Sequence, residues 1–254
     1  MNAAIEVRKL SYRYPHTRSG SGLDQLSFAV AQDECVGLLG PNGAGKSTLL
    51  LHLNGLLPEQ PPREPNVWID GEPLTSGNLN AVRQRVGLLF QDPDDQLISA
   101  TVFEDVAFGP RQLGVDGPIL RSLVEYSLGL VGLRGFEERE PHRLSHGEKR
   151  RVCLAGVLAC KPRVLVLDEP TSDLDPRGRR EFKAQLQSLP GAKIIATHDL
   201  DLVVDLCSRV LILDGGKLVA EGPTRSLLAD EPLMLAHGLE KPHRLMHIHP
   251  HGPM

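Results

Sequence analysis

The octapeptide Gly40-Pro41-Asn42-Gly43-Ala44-Gly45-Lys46-Ser47 leaves this chain few architectures. It fits the pattern G-x-x-x-x-G-K-[ST], follows the apolar run Cys35 to Leu39, and opens a segment with helical spacing from Lys46 to Leu56. A strand, a glycine-rich turn and a helix in that order make a cradle for phosphate. Glycines let the backbone curl so that successive N–H groups face phosphate oxygens. The helix N-terminus adds its partial positive charge. In such a cradle Lys46 reaches the β- and γ-phosphates of a nucleotide and the Ser47 hydroxyl ligates Mg²⁺, with Thr48 the next residue of the binding segment. A chance glycine-rich turn would lack both flanks.

A second segment supplies carboxylates. Val164-Leu165-Val166-Leu167 reads as a buried strand, and it ends in Asp168-Glu169. Two carboxylates at the end of a buried strand are costly unless their charges have a use. Asp168 is suited to hold Mg²⁺ through its water shell, and Glu169 to polarise an attacking water. Acidic residues after strands also cap helices, but downstream of a phosphate cradle the catalytic reading is favoured.

The rest of the chain alternates short β-branched runs with helical segments, which predicts an α/β sheet protein. Ile5 to Leu10, Leu26 to Val30, Val67 to Ile69, Val86 to Phe90, Lys193 to Ala196 and Val210 to Leu213 read as further strands. Residues 101–160 lack strand runs and read as helices broken at Pro110, Gly114, Gly117, Gly132 and Pro141. The expectation is one parallel-sheet core holding a helical insertion. Pro58, Pro61, Pro62 and Pro65 form a surface connector. After Ala229 the chain turns Pro- and His-rich, and half of its ten histidines (His237, His243, His247, His249 and His251) lie there. A poorly ordered tail is expected.

Composition removes several alternatives. At 41% hydrophobic and 24% charged, the chain can bury a core. A net charge of -4 argues against a general nucleic-acid binder, and 4% aromatics argue against a stacking platform for single strands. No run approaches ~20 uninterrupted apolar residues, so the chain is not expected to span a membrane. It starts Met1-Asn2-Ala3-Ala4, with no signal-peptide core. The cysteines Cys35, Cys153, Cys160 and Cys207 form no Cys-x-x-Cys pair. Cys153 and Cys160 on one helix would stand about 10 Å apart, too far for a bridge. A reduced, cytosolic protein is expected.

Between the two phosphate-site segments stands Leu144-Ser145-His146-Gly147-Glu148, followed by Lys149-Arg150-Arg151 and an apolar-small helix. This resembles the signature of ATP-binding-cassette ATPases, whose usual form is Leu-Ser-Gly-Gly-Gln. The chain departs from it at His146 and Glu148 and keeps Ser145 and Gly147. Ser145-x-x-Glu148 also fits a helix capping box. In the family this helix start grips the γ-phosphate of the ATP held by the opposite subunit, which would assign Ser145, Gly147 and Glu148 to binding in trans. Other landmarks follow in order. Tyr14 resembles the aromatic that stacks on adenine, with an edge-strand tyrosine as its structural alternative. Gln91 matches the Q-loop glutamine that senses Mg²⁺ and the γ-phosphate. Ser172-Asp173-Leu174-Asp175 matches the D-loop, with Asp175 at the dimer interface, and His198 matches the switch histidine.

The resemblance spans about residues 3–230. It implies an α/β fold: a P-loop NTPase (RecA-like) core with a small antiparallel β subdomain and an inserted helical subdomain. The ABC ATPase domain would cover residues 1–230, with the helical subdomain at about 92–160 and a Pro/His-rich tail over 231–254. The implied cofactors are ATP and Mg²⁺, and the implied catalytic residues are Glu169, His198 and Gln91, with Ser47, Gln91 and Asp168 at the metal. The run Phe90-Gln91-Asp92-Pro93-Asp94-Asp95-Gln96-Leu97, with Glu104-Asp105-Val106-Ala107-Phe108-Gly109-Pro110, resembles energy-coupling-factor ATPases. Within these it is most similar to the cobalt-type (CbiO-like) subunits of metal importers. That implies a second ATPase subunit (identical or a paralogue) and a substrate-specific membrane component. It also implies a transmembrane coupling protein docked at the Q-loop groove against Asp94, Asp95 and Gln96. The chain would sit peripherally on the cytoplasmic face of the cell membrane, bind no nucleic acid, and power import of cobalt or nickel. A vitamin importer is the alternative cargo. A soluble, non-transport ABC ATPase would need a long coiled coil or a second cassette, and neither is present. In the tail, His247, His249 and His251 alternate, and with His243 they could hold a transition metal.

Overall fold

A computed structural model of the chain describes residues 3–15, 22–62, 64–240 and 242. Two sheets carry the fold. β1 (Ala3–Arg13) and β2 (Gly22–Ala31) pair antiparallel, and with β4 (Val67–Ile69) and β5 (Glu72–Pro73) they form a four-stranded antiparallel sheet ordered β2-β1-β4-β5. The second sheet holds β3 (Cys35–Leu39), β6 (Val86–Leu89), β7 (Val164–Asp168), β8 (Ala192–Ala196), β9 (Arg209–Asp214) and β10 (Lys217–Pro223). Its order is β10-β9-β3-β8-β7-β6, parallel throughout except for β10, which runs antiparallel to β9.

Burial explains the sequence texture of each strand. All five residues of β7 and of β8 are buried, because both faces of this sheet are covered, and such strands read as continuous apolar runs. β10 alternates half-buried and exposed residues. The expectation of a single sheet from strand runs alone is therefore corrected: the early runs build a separate antiparallel sheet, the small β subdomain that the family resemblance implied. One core fills the space between the two sheets and around α1 (Lys46–Leu53). A second joins the opposite face of the parallel sheet to the insertion. That insertion lies between β6 and β7 and contains α3 (Val102–Gln112), α4 (Gly117–Leu130) and α5 (His146–Ala159).

The other α-helices among the described residues are α2 (Leu79–Arg85), α6 (Pro176–Ser188), α7 (Leu200–Leu206), α8 (Thr224–Ala229) and α9 (Glu231–Ala236). The segment after residue 230 begins as α9 seated on the core, with Met234 and Leu239 buried and His237 Nδ1 2.9 Å from Asp214 Oδ2. His243, His247, His249 and His251 lie outside the described residues. No described helix is long and apolar enough to cross a membrane. The four cysteines are free thiols.

The two sheets meet at a backbone junction beside the glycine-rich loop. Gly216, in the turn between β9 and β10, donates its N–H to Ala44 O (3.1 Å) and accepts the Asp24 N–H (2.8 Å). A Cβ at Gly216 would lie 2.5 Å from Gly22 O, and one at Gly45 would lie 3.0 Å from the same oxygen. Both residues have positive φ (80° and 103°), so nothing but glycine fits either place comfortably.

Candidate functional site

β3 delivers the chain to the loop at residues 40–45, and α1 leads away from it. Together with the ends of β7 and β8 they surround a cleft of about 1190 Å³, lined by residues 42–48, Gln91, Asp168, Glu169 and His198, with Tyr14 at its margin. Lys46 is only 8% exposed. Its ammonium donates to Gly40 O (2.7 Å) and Pro41 O (3.2 Å) and lies 3.4 Å from His198 Nε2. Burial pushes the Lys46 pKa down, while Glu169 and Asp168 pull it back up. Tyr14 places its hydroxyl 3.1 Å from Thr48 Oγ1.

β7 ends in the carboxylates. Asp168 is buried, which raises its pKa, and a hydrogen bond from Ser47 and the charge of Lys46 oppose that rise. Glu169 stands in the left-handed region at φ 44°, a backbone conformation found preferentially where a site over-determines it. Its Oε2 accepts from Thr197 Oγ1 (3.0 Å) and the His198 N–H (3.3 Å). Its buried Oε1 accepts no hydrogen bond and lies 3.5 Å from His198 Nε2, which also approaches Asn42 Oδ1 (3.1 Å). An unsatisfied carboxylate oxygen at a phosphate cleft is an acceptor held ready for a proton. Ser47, Gln91 and Asp168 offer a hydroxyl, an amide oxygen and a carboxylate to the same cleft, an all-oxygen donor set that fits Mg²⁺.

The signature residues stand elsewhere. Ser145, Gly147 and Asp175 line a separate cavity of about 880 Å³ that shares only Asp173 with the cleft. Ser145 caps α5 in a complete capping box: Glu148 N–H donates to Ser145 Oγ (3.3 Å), while the Ser145 N–H and hydroxyl both donate to Glu148 Oε2 (2.8 Å each). The Ser145 hydroxyl holds the Glu148 carboxyl below its ordinary pKa, so the residue is ionised. Asp175 caps α6 through the Gly178 N–H.

The acidic run after Gln91 is not a uniform acidic surface. Lys149 Nζ takes Asp94 Oδ1 at 2.6 Å, so that charge is used inside the chain. Asp95 and Gln96 instead line an apolar-walled groove of about 330 Å³ with Leu56, Phe90, Ile98 and Phe108. Ile98 is 74% exposed.

Arg150 is the residue that sequence reasoning missed. It looks like the middle of a solvated basic run, yet it is 1% exposed and, among the described residues, makes no ion pair. Burying an unpaired guanidinium costs several kcal/mol unless its hydrogens are taken up. Both terminal nitrogens find acceptors: Nη1 donates to Glu169 O (2.8 Å), and Nη2 to Gln91 O (2.7 Å) and Ser172 Oγ (3.1 Å), with His146 Nε2 at 3.2 Å, while the buried Nε has no acceptor among the described residues.

The ABC transporter family profile matches residues 23–172. The chain belongs to the ABC transporter family. This ABC ATPase is 49% identical over 240 residues to a Streptomyces coelicolor protein named as an ABC transporter ATP-binding protein, covering 94% of this chain and 90% of that one. It is 44% identical to the energy-coupling factor transporter ATP-binding protein EcfA of Carboxydothermus hydrogenoformans, over 95% of this chain and 88% of the relative. Among solved structures, CbiO1 of Clostridium perfringens superposes with a TM-score of 0.79 at 33% identity, over 93% of this chain and 94% of that one. That protein is part of the ABC transporter complex cbiONQ. The ATP-binding cassette MJ0796, at 24% identity and a TM-score of 0.77 over 87% of this chain and 98% of that one, has the same fold. The ABC ATPase is thus a nucleotide-binding subunit of the energy-coupling-factor type, and it hydrolyses ATP to drive transport.

Proposed function

We propose that this subunit closes head to tail on a second ATPase subunit, identical or a paralogue, around two ATP molecules, and so powers a membrane importer of cobalt or nickel ions. The observation that carries the closure is the separation of the two residue sets. Lys46, Asp168, Glu169 and His198 line one cleft while Ser145 and Gly147 line another, complementary halves of a site that two chains would complete. Lys46 exchanges the loop carbonyls for β- and γ-phosphate oxygens. Glu169 takes a proton from the attacking water through Oε1. His198, between Asn42, Lys46 and Glu169, contacts the γ-phosphate. Tyr14 stacks on adenine, and Asp175 faces the partner. Ser47, Gln91 and Asp168 would hold Mg²⁺, which when bound neutralises phosphate charge.

A transmembrane coupling protein would dock in the groove lined by Asp95, Gln96, Ile98 and Phe108, with a separate membrane component selecting the cargo. The subunit would then sit at the cytoplasmic face of the membrane. Metal cargo is supported by the likeness to CbiO1 and by the imidazoles of His243, His247, His249 and His251. The likeness to relatives named for the energy-coupling factor keeps a vitamin importer as the second reading.

The test is Glu169→Gln in the complex purified with its membrane partners. ATP binding should persist while hydrolysis falls by about 10²–10⁴. Wild-type turnover would remove Glu169 from catalysis. Uptake into proteoliposomes then decides the cargo: ATP-driven accumulation of Co²⁺ or Ni²⁺ supports the metal reading, and vitamin accumulation overturns it.

A further inference from the structure

The start of α5 holds the Gln91 loop from two sides. Lys149 takes the Asp94 carboxylate at 2.6 Å, and Arg150 takes the Gln91 carbonyl at 2.7 Å. The same guanidinium reaches the Glu169 carbonyl at 2.8 Å and Ser172 Oγ at 3.1 Å. Ser172 in turn donates its hydroxyl (3.0 Å) and its N–H (3.2 Å) to the Glu169 carbonyl. One buried cation therefore spans the loop that borders the docking groove, the residue at the end of β7, and the turn after it.

We propose that Arg150 is a positioning residue for hydrolysis: its guanidinium helps hold the Glu169 backbone in its left-handed conformation while it also bonds the Gln91 loop, and so ties the catalytic carboxylate to the docking groove. The assignment rests on Glu169 being the catalytic carboxylate.

Three observations support it. First, Glu169 keeps a positive φ without being glycine, and its carbonyl receives three hydrogen bonds, two of them from Ser172 and one from Arg150. A conformation of that kind persists only where its surroundings impose it. Second, Nη2 carries two hydrogens but faces three acceptors: Gln91 O, Ser172 Oγ and His146 Nε2. Displacement of the Gln91 loop would let Nη2 pair with the other two, both of its hydrogens still taken up. An over-subscribed donor of this kind gives the element two arrangements, which energetic coupling between sites requires. Third, a carboxylate would have been the simplest partner for a buried guanidinium, and among the described residues none pairs with it. Its acceptors are two backbone carbonyls, a hydroxyl and an imidazole, and three of the four belong to segments that border the nucleotide cleft.

Lysine at this position keeps the charge but cannot bridge two carbonyls in a fixed fork. In the complex with its membrane partners, Arg150→Lys should lower kcat by about tenfold or more with the KM for ATP little changed, the pattern of a lost transition-state arrangement. Stimulation of hydrolysis by the membrane partner should shrink in parallel. In a Glu169→Gln background Arg150→Lys should slow the residual turnover no further, because it acts through the residue already removed. A merely structural defect would add its own penalty there. Should Arg150→Lys fail to fold, Ser172→Ala removes the hydroxyl that links Arg150 to Glu169 O, and the same kcat fall and the same non-additivity are expected. A kcat within about twofold of wild type, or an additive loss in the Glu169→Gln background, overturns the proposal. Glu169→Gln measured alone separates the two failures. If it turns over normally, the catalytic assignment of Glu169 falls. If it is inactive and Arg150→Lys is normal, only the role of Arg150 falls.

Discussion

Lys46 is held in place by the loop it serves, since its ammonium bonds Gly40 O and Pro41 O. Binding exchanges two neutral acceptors for charged phosphate oxygens, so the gain is a difference and not the full strength of an ion pair. Lys46→Ala removes that difference, worth about 1.5–3 kcal/mol for hydrogen bonds to a charged group, and should weaken ATP binding about 10- to 100-fold. Titration with a fluorescent ATP analogue measures it, and an unchanged affinity would contradict the role. Lys46, Glu169 and His198 were legible in the sequence because each stands immediately after a strand or its loop, where a polar side chain has a reason to be. Arg150 was not. Lys149, Arg150 and Arg151 look alike in sequence, yet Lys149 pairs with Asp94, Arg151 pairs with Glu181, and Arg150 is buried. Which of three adjacent basic residues turns inward is set by packing against β7 and the Gln91 loop, neither of which is local to them.

α5 shows how one helix start can carry two duties that oppose each other. Its capping box satisfies the first-turn donors and fixes the helix. It also ties the Ser145 hydroxyl to an ionised Glu148, where the proposed closure would bring the phosphate of a second chain. Glutamine serves the box as well as glutamate does, so Glu148→Gln should leave the subunit equally stable. It should tighten ATP-dependent dimerisation by about two- to fivefold, the scale of one partly solvated charge contact of about 0.5–1 kcal/mol. Gel filtration with ATP in the Glu169→Gln background reads this, and a weaker dimer would mean that Glu148 is needed as an anion. At this scale the sequence was read well for β7 and β8, whose continuous apolar runs follow from burial on both faces. It was silent on β10, which alternates half-buried and exposed positions and ends in Gly222-Pro223. It was silent also on α2, where Val82 is the one buried residue among seven.

On the proposed docking, the partner would meet the apolar-walled groove beside the Gln91 loop, where Asp95 and Gln96 lie among Leu56, Phe90, Ile98 and Phe108. Ile98→Asp places a charge on an apolar wall without touching the cleft. Recovery of the membrane component on co-purification should fall severalfold while the affinity of the isolated subunit for ATP is unchanged; full recovery would move docking to another face. The fit between the two sheets depends on the junction where Gly216, Gly45 and the Gly22 carbonyl meet with no room for a methyl group. No nucleotide, metal or partner is needed to explain why side chains are excluded there. In a saturating mutational scan read out by growth on the transported nutrient, Gly216 would therefore stand out as an isolated intolerant column far in sequence from the intolerant loop that holds Gly45. An observer with only that map would take Gly216 for part of the phosphate site, when its work is to seat one sheet against the other.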